Sequence, residues 1–514
     1  MLMHTLWLVI QREFVSNVLT SRFMIGLIVC LLSTAVAVFV QVDDYEKRLT
    51  GYNAAIREAK AEAQEWNLYY NIKPRTHRKP NPLGIFNVGA ENFGANTVTI
   101  ELAKPVFELT FPIMGEPAEK RGADNSFLSM FLTIDVVFIF KIILSALAIL
   151  FAFNTISGER EDGTLKLVLS NAIPRDMIVL GKYLGGMLSL FPIVLISLIV
   201  ALVIALSSRV TAFDGNDISH IVLIFAVSLL YVSTWYLLGL LLSIWTKSPA
   251  TTLILSMVIW VMLTIVHSNM ATIVVEKFPP YQSKPEAKFV RSAGDVWDQF
   301  RKERDTYIKR RGYENLQDSI SWEPGADSER TNRFVTFFSY GMHNLHLLEG
   351  YIIRDVDKAD TSIFQEILGY QEPLRIAYAD KVEEVLNKPA EQRERNAKFA
   401  DALSRISFAD VYHFAIGAIA GTDRQSYNNF IQDSRAYKRK IVEYLKDEKA
   451  FTSRAWFSND QGPADLTYLP VFQDRRLSLS DSLSRAYIDI LILLAWNVVL
   501  FMAAYVSFLR YDLG

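Results

Sequence analysis

Six long apolar segments constrain this chain more than any other feature of its sequence. A helix needs about 20 mostly apolar residues to cross the hydrocarbon core of a bilayer. We predict membrane spans at residues 23–41, 130–153, 183–207, 218–245, 251–268 and 486–509. The composition agrees, since 51% of the residues are hydrophobic and 21% are charged. The chain is therefore predicted to be a mainly α membrane protein with substantial water-facing parts.

Lys and Arg residues in the short connecting segments set the predicted orientation, because cytoplasmic loops carry an excess of these cations. The cations concerned are Arg12, Arg22, Arg160, Lys166, Arg175, Lys182, Lys247 and Arg510. We therefore place residues 1–22, 154–182, 246–250 and 510–514 in the cytoplasm, and residues 42–129, 208–217 and 269–485 outside. This describes a multi-pass protein of the cell inner (cytoplasmic) membrane with both termini in the cytoplasm.

Residues 1–22 are predicted to form an amphipathic elbow helix in the membrane interface before the first span. Their apolar side chains lie near one helical stripe: Leu6, Leu8, Val9, Phe14, Val18 and Leu19. The alternative is that these residues simply begin the first span. Ser21 and Arg22 interrupt the apolar character there, which favours the elbow.

The two long polar regions are predicted to be two domains outside the membrane that close against each other, because both are inserted beside the same bundle. Residues 42–129 indicate a small α/β lobe, with a helix over Tyr45–Trp66 and strands in NTVTIELA and PVFELTFPI. Residues 269–485 indicate a larger, mostly helical domain. Its helices are predicted at 287–311, 331–348, 361–387, 391–405 and 423–446, with breaks at Lys388–Pro389 and Gly417–Thr422. The single cysteine, Cys30, lies in a span, so no intrachain disulfide can hold either body.

The charged segment between the second and third spans carries the clearest functional signal. Ser157 is predicted to cap a short helix that bears Glu159 and Glu161 in its first positions. Gly163 allows a break, and Pro174 ends the helix that follows. The predicted apolar face of that helix consists of Leu165, Leu167, Val168 and Leu169. An ordinary solvated loop is one interpretation of these charges. A surface for docking a cytoplasmic partner is the other, and the helix signals favour it.

The string SGEREDGTLKLVLSNAIPRDMIVLGKYLG resembles the cytoplasmic coupling region of ABC-2 type ABC transporter permeases. The REF-containing elbow and the order of the spans resemble that family too. The resemblance implies a six-helix, type V exporter-like bundle, a second permease copy or paralogue, and two cytoplasmic ABC ATPase subunits. It assigns ATPase coupling to Ser157, Gly158, Glu159, Arg160, Glu161, Gly163, Thr164 and Leu165. LSNAIPR is most similar to the NosY-like and gliding-associated branch, although both outside domains are larger than in typical members.

The chain itself is expected to be non-catalytic and to bind no cofactor. VLGKYLGG, around Gly181 and Lys182, lacks the glycine spacing and the following Ser or Thr of a phosphate-binding loop. ATP and Mg are therefore expected in the partner ATPase. The net charge of -2 gives no support for nucleic-acid binding.

Asp135, Lys141 and Asp489 are ionisable residues in or near the spans, where charge is costly. We expect structural ion pairing, with Asp489 as a partner for Lys141. A role in a substrate path is the alternative.

His343, His346 and Glu349 are spaced as three residues on one face of a predicted helix. They are candidate metal ligands, but no HExxH or cysteine pattern accompanies them, so histidines hydrogen-bonded locally are favoured.

Two functions remain open from the sequence. The chain could be the permease subunit of an ABC transporter, coupling ATP hydrolysis in a separate subunit to export or translocation of a substrate. Alternatively, it could be a mechanotransmitting subunit whose ATPase-driven motion acts on an extracytoplasmic protein partner without solute transport.

Overall fold

The computed structural model describes residues 2–91, 96–106, 134–170, 174–281, 286–312, 334–340, 347–353, 362–457 and 462–510. Six helices in these ranges are long and apolar enough to cross a membrane. The expectation of a mainly α membrane protein with six spans is thus confirmed. Continuous apolar runs drive this architecture, because in lipid a helix satisfies all of its own backbone hydrogen bonds.

The elements follow in chain order. Helix α1 is Leu2–Val18, and the first span is α2, Ser21–Gln64. Strands β1 and β2 are Arg75–His77 and Thr97–Thr99. The second span comprises α3 (Val136–Ile139), a π-helical turn (Phe140–Leu144) and α4 (Ser145–Ala152). Two short helices follow, α5 (Ser157–Glu161) and α6 (Thr164–Ser170). The third and fourth spans are α7 (Arg175–Ser207) and α8 (Gly215–Trp245).

The fifth span comprises α9 (Pro249–Val261), a π-helical turn (Met262–Val266) and α10 (His267–Lys277). After it come α11 (Glu286–Arg310), β3 (Phe334–Tyr340), β4 (Leu347–Ile353), α12 (Ser362–Ser404), α13 (Phe408–Ala420) and α14 (Arg424–Asp447). The sixth span is α15, Leu479–Leu509. We call the end of the bundle that carries α1, α5 and α6 the elbow end, and the opposite end the lobe end.

Helix α2 is longer than the predicted first span. The sequence predicted a span ending at residue 41 and a second helix over Tyr45–Trp66, but Ser21–Gln64 is one helix of 44 residues. At a rise of about 1.5 Å per residue it measures about 66 Å. It continues past the apolar run because residues 42–64 contain no proline and are rich in alanine and charged helix formers. The first span therefore extends directly into the lobe.

The polar regions at the lobe end confirm some predicted elements and correct others. The strand predicted in NTVTIELA is β2, which pairs antiparallel with β1, whereas PVFELTFPI lies mostly outside the described residues. The helices predicted at 287–311 and 423–446 are confirmed by α11 and α14. The helix predicted at 331–348 is wrong, because β3 and β4 form an antiparallel pair there. FVTFFSY is β-branched and aromatic, which favours a strand.

The break predicted at Lys388–Pro389 is also wrong, since α12 runs continuously through Pro373 and Pro389. A proline removes one backbone donor and strains the preceding turn, but long flanking helical segments can tolerate that cost. The break predicted at Gly417–Thr422 begins too early, because Gly417 lies inside α13 and the helix ends at Ala420.

One hydrophobic core joins the two polar regions at the lobe end. Ile72, Val98 and Ile100 from the first region are fully buried with Leu368 and Ile441 from the second. The segment between the first two spans and the segment between the last two are therefore packed into one body. The spans already hold both segments beside the same bundle. Their association therefore costs little further conformational entropy.

Candidate coupling site

The charged segment at the elbow end folds as two short helices, α5 and α6, joined at Gly163. Gly163 has a φ of 70°, a left-handed conformation that favours glycine because it has no Cβ. The predicted helix break at this residue is therefore confirmed. After α6 the chain reaches Pro174, which precedes the first residue of α7. The last eight residues of the predicted coupling segment, 175–182, thus belong to the first turns of the third span.

The predicted cap of α5 is wrong. Ser157 is inside the helix, and its Oγ donates to the carbonyl oxygen of Phe153 at 2.7 Å. The cap comes from the fourth span, where Ser243 Oγ accepts from the backbone nitrogens of Ile156 at 3.0 Å and Ser157 at 2.9 Å. A side-chain oxygen that accepts hydrogen bonds from the first backbone amides of a helix acts as its N-cap. The start of α5 is therefore attached to α8.

Glu159 points into the protein. Its Oε1 lies 2.9 Å from Nζ of Lys182 on α7. Lys182 is buried, and it also donates to the carbonyl oxygen of Thr155 at 3.0 Å and lies 3.4 Å from Glu13 on α1. Because burial removes most solvent screening, these charges hold each other in place. One ammonium group thus connects α1, α5 and α7.

Arg160 also points inward. Its guanidinium donates to the carbonyl oxygens of Ile244, at 3.0 Å, and Thr246 at the end of α8. The last carbonyls of a helix lack intrahelical partners, and the dipole of the helix favours a cation there. The contact therefore fixes α5 against the elbow end of the fourth span.

The outward surface of this segment is a small set of neighbouring residues. Glu161, Asp162 and Lys166 are exposed, and Leu167 is 67% exposed. Leu165 is buried and anchors α6, as predicted for the apolar face, but Leu167 is not part of that face. We call Glu161, Asp162, Lys166 and Leu167 the outer coupling face.

Helix α1 packs directly on the third span through glycine. A Cβ built on Gly181 would lie 2.6 Å from Val9, and one on Gly185 would lie 2.6 Å from Cβ of Glu13. Glycines four residues apart leave a groove that lets two helices approach closely. The predicted elbow helix is present, and it is held by the same helix that carries Lys182.

The three ionisable residues predicted near the spans all have polar partners, but Lys141 and Asp489 are not partners of each other. Asp135 caps α3 by accepting from Phe138 N at 2.7 Å, and it also accepts from Val88 N at 2.9 Å. Lys141 lies 2.9 Å from Asp410 on α13, not beside Asp489. Asp489 instead binds Arg405 at 2.6 Å. The prediction failed because both partners come from a part of the chain that the sequence placed outside the membrane.

Helix α13 is inserted between the spans and was missed from the sequence. Its residues are buried in the same core as the membrane helices. Tyr412 stacks on Tyr231 of α8 with ring centroids 4.2 Å apart, and Phe408 packs against Trp235 and Trp496 at 5.3 Å and 5.0 Å. Its 13 residues, most of them apolar, are too few to span a bilayer, yet an apolar run of about 10–14 residues is typical of a buried or re-entrant segment. The length of this apolar run was the sequence signal that could have identified the inserted helix.

Both π-helical turns lie against the inserted helix and the residues that precede it. Lys141, in the turn of the second span, binds Asp410. Leu263, in the turn of the fifth span, accepts from Ser407 Oγ at 2.6 Å, and Ser268 donates to Asp410 at 2.6 Å. A π-helical turn frees backbone groups and re-aims side chains, and such turns are common at functional positions. The two spans are therefore shaped locally to receive α13.

Of the three candidate metal ligands, Glu349 alone is among the described residues. His343 and His346 lie outside the described residues. Glu349 lies on β4, so the helical spacing on which the hypothesis depended does not apply to it.

A comparison with known protein families matches residues 7–513 to the ABC-2 family transporter protein family. No curated protein matches the chain. The match covers most of the elbow helix, the six spans, the coupling segment and both polar regions. This chain therefore belongs to the ABC-2 transporter family, and it is a multi-pass membrane protein of that family.

Proposed function

We propose that the chain is the permease subunit of an ABC transporter that exports or translocates a substrate across the inner membrane. The observation that carries the proposal is the outer coupling face, which Lys182, Arg160 and Ser243 attach to the third and fourth spans. A rigid, exposed, partly apolar surface at the end of a helix bundle is suited to receive force from a soluble subunit. Family membership supports the presence of an ATP-binding cassette partner.

The proposed assembly contains two such permeases, either two copies or a copy and a paralogue, and two ATPase subunits that bind ATP and Mg. Exposed apolar side chains on α2, α9 and α15 supply surface for lipid or for the second permease. They include Leu32, Phe39, Ile254, Val258, Leu491 and Val498. In this arrangement the elbow end and both termini face the cytoplasm, and the lobe end faces outward. We place the chain nearest the NosY-like and gliding-associated branch, on the LSNAIPR string alone.

The test is purification of the complete complex from native membranes, followed by photoaffinity labelling with an ATP analogue. We expect label on a companion ATPase and none on this chain. Leu167→Asp should release that companion, because it places a charge in the apolar part of the contact. Val471→Asp is the matched control, since Val471 is 80% exposed at the lobe end. Labelling of this chain itself, or an equal loss of the companion in both variants, would contradict the proposal.

A mechanotransmitting role is the second candidate function, and helix α13 favours it. This helix is part of the polar region at the lobe end, yet Asp410 and Tyr412 contact the second, fourth and fifth spans. Movement of those spans would therefore act on that region directly. Hydrogen exchange of the α13 amides in the complete complex distinguishes the two functions. Faster exchange during ATP turnover than with bound ATP alone supports transmission, and equal exchange supports transport without it.

A further inference from the structure

Helix α13 has one exposed side chain although the helix lies among the membrane spans. Eleven of its 13 residues are buried, whereas Phe414 is half-buried and His413 is exposed. Protein atoms nevertheless surround the His413 ring closely, so the ring lies in a cleft and not on a convex surface. Its nitrogens have no hydrogen-bond partner among the described residues. The ring is thus left to bind molecules that enter the cleft.

The depth of His413 follows from its neighbours on α13. Tyr412 stacks on Tyr231, near the middle of α8. Phe408, at the start of α13, packs against Trp496 of the sixth span. His413 is therefore at the level of the hydrocarbon core, where exposure of a polar side chain to lipid is costly.

The cleft opens between the second and fifth spans. Asp410 is three residues before His413, so both side chains lie on one face of α13. Asp410 contacts Lys141 of the second span at 2.9 Å and Ser268 of the fifth at 2.6 Å. Nδ1 of His267 lies 3.9 Å from the same carboxylate, and the His267 side chain is 25% exposed. We call the space bordered by these five side chains, Lys141, His267, Ser268, Asp410 and His413, the polar cleft.

The walls of the polar cleft do not suit lipid. They consist of two imidazoles, a hydroxyl, an ammonium and a carboxylate. Acyl chains offer these groups no hydrogen bonds, whereas water does. Lys141 and Asp410 are in direct contact, so their charges offset each other. The walls therefore favour water and polar molecules without net charge.

We propose that the polar cleft is a water-filled part of the substrate path, and that it takes a polar substrate without net charge, either uncharged or zwitterionic. The assignment to a substrate rests on the proposed transport function, whereas the presence of water in the cleft does not. Polar residues that face a cavity at membrane depth commonly mark such paths. The imidazoles of His413 and His267 each offer one donor and one acceptor when neutral, which suits a hydrogen-bonding substrate.

Thiol labelling at single cysteines tests the proposal. The chain has one cysteine, Cys30, which is buried in the first span, so Cys30→Ala supplies a background without thiols. In that background, His413→Cys and His267→Cys each place a thiol in the polar cleft. Because the His413 side chain is exposed, its replacement should leave the packing of α13 intact.

Leu491→Cys is the matched control on the sixth span. Leu491 is 56% exposed, and its neighbours Ile488 and Leu494 are exposed apolar residues, so this surface suits lipid. Leu491 precedes Trp496 by five residues, as His413 follows Phe408 by five, and Phe408 packs on Trp496. The control thiol and the cleft thiol are therefore at a similar depth.

The complete complex in phosphatidylcholine nanodiscs is treated with two methanethiosulfonate reagents, one bearing a sulfonate and one a trimethylammonium group. Each rate is divided by the rate of the same reagent with free cysteine. We expect labelling of His413→Cys and His267→Cys to be at least about ten-fold faster than labelling of Leu491→Cys, because the reactive thiolate forms in water and not in lipid. The two reagents should differ by less than about three-fold in the cleft, since it has no net charge. Binding of ATP should change the rate at His413→Cys, because the spans that border a substrate path move during the cycle.

Three results would overturn the proposal. Equal rates at His413→Cys and Leu491→Cys, whether both are slow or both are fast, contradict a hydrated cleft. A larger preference for one reagent contradicts a substrate without net charge, and a rate that ATP does not change excludes the cleft from the path. If His413→Cys does not assemble, His267→Cys decides the same questions. Failure of the ATP photoaffinity test contradicts the proposed function and leaves the water in the cleft unaffected, so the two failures are distinguishable.

Discussion

Within the SGERE string, adjacent residues have opposite roles. Glu159 pairs with Lys182, and Arg160 donates to carbonyl oxygens at the end of α8. Glu161 is exposed instead. The sequence correctly predicted a short charged helix after the second span and a break at Gly163. It could not predict which charges face inward, because a five-residue helix has no apolar periodicity to fix its rotation. Only the positions of α7 and α8 decide that.

Lys182 offers a test of this arrangement at the scale of single residues. Lys182→Met should keep most of the packing volume but leave the carboxylates of Glu159 and Glu13 without their cation. Removing one partner of a buried ion pair costs about 3–5 kcal/mol. We expect a clear fall in the thermal unfolding midpoint and a loss of ATPase stimulation in the complete complex.

The control for this variant is Lys166→Met, which removes an exposed lysine from the same segment. Its unfolding midpoint should stay within experimental error of the unaltered chain, since exposed charges contribute little to stability. Equal midpoints for Lys182→Met and Lys166→Met would show that the buried contacts at Lys182 do not stabilise the protein.

At the scale of helices and strands, the sequence predicted most of what hydropathy and capping can reveal. Long apolar runs gave the six spans, and the strongly amphipathic α14 was predicted almost to the residue. The inserted helix α13 was missed because its burial depends on contacts with distant spans. The strands β3 and β4 were missed because periodicity alone does not separate a short apolar strand from a helix. The β-branched and aromatic content of FVTFFSY was the available signal.

The packing of α1 on α7 can be tested through Gly185. Gly185→Leu adds a side chain where a Cβ would already lie 2.6 Å from Cβ of Glu13 and 2.9 Å from the carbonyl oxygen of Ile10. Helix α1 must then move away from the third span. We expect faster hydrogen exchange throughout α1. Gly294→Leu, which meets no neighbouring atom, should leave exchange in α1 unchanged, and no change in either variant would exclude close packing of the elbow.

The attachment of α13 can be tested through the pair of Lys141 and Asp410. Lys141→Met leaves a buried aspartate without its cation, so we expect destabilisation of about 3 kcal/mol or more. Replacing both residues, as Lys141→Met with Asp410→Leu, removes the unpaired charge and should recover much of the lost stability. Thermal unfolding in nanodiscs measures both effects. A double variant that is less stable than Lys141→Met would contradict the pairing.

On the scale of the whole molecule, two features link its ends. Helix α2 passes without interruption from the elbow end into the lobe, and α13 returns from the lobe into the bundle. The chain is thus a membrane bundle whose polar regions are continuous with its spans. The sequence predicted two domains that close against each other, but it could not show that they share one hydrophobic core. This continuity supports the proposed transmission of movement from the elbow end to the lobe end.

The central claim is that the outer coupling face is where the ATPase acts, and site-specific photocrosslinking in the complete complex tests it most directly. A photoreactive phenylalanine analogue is placed at Leu167, with the same analogue at Val471 as the control, since both side chains are exposed. We expect the ATPase subunit to be captured from Leu167 only, with a yield that changes between ATP-bound and nucleotide-free states. Capture from neither position, or equal capture from both, would contradict the account.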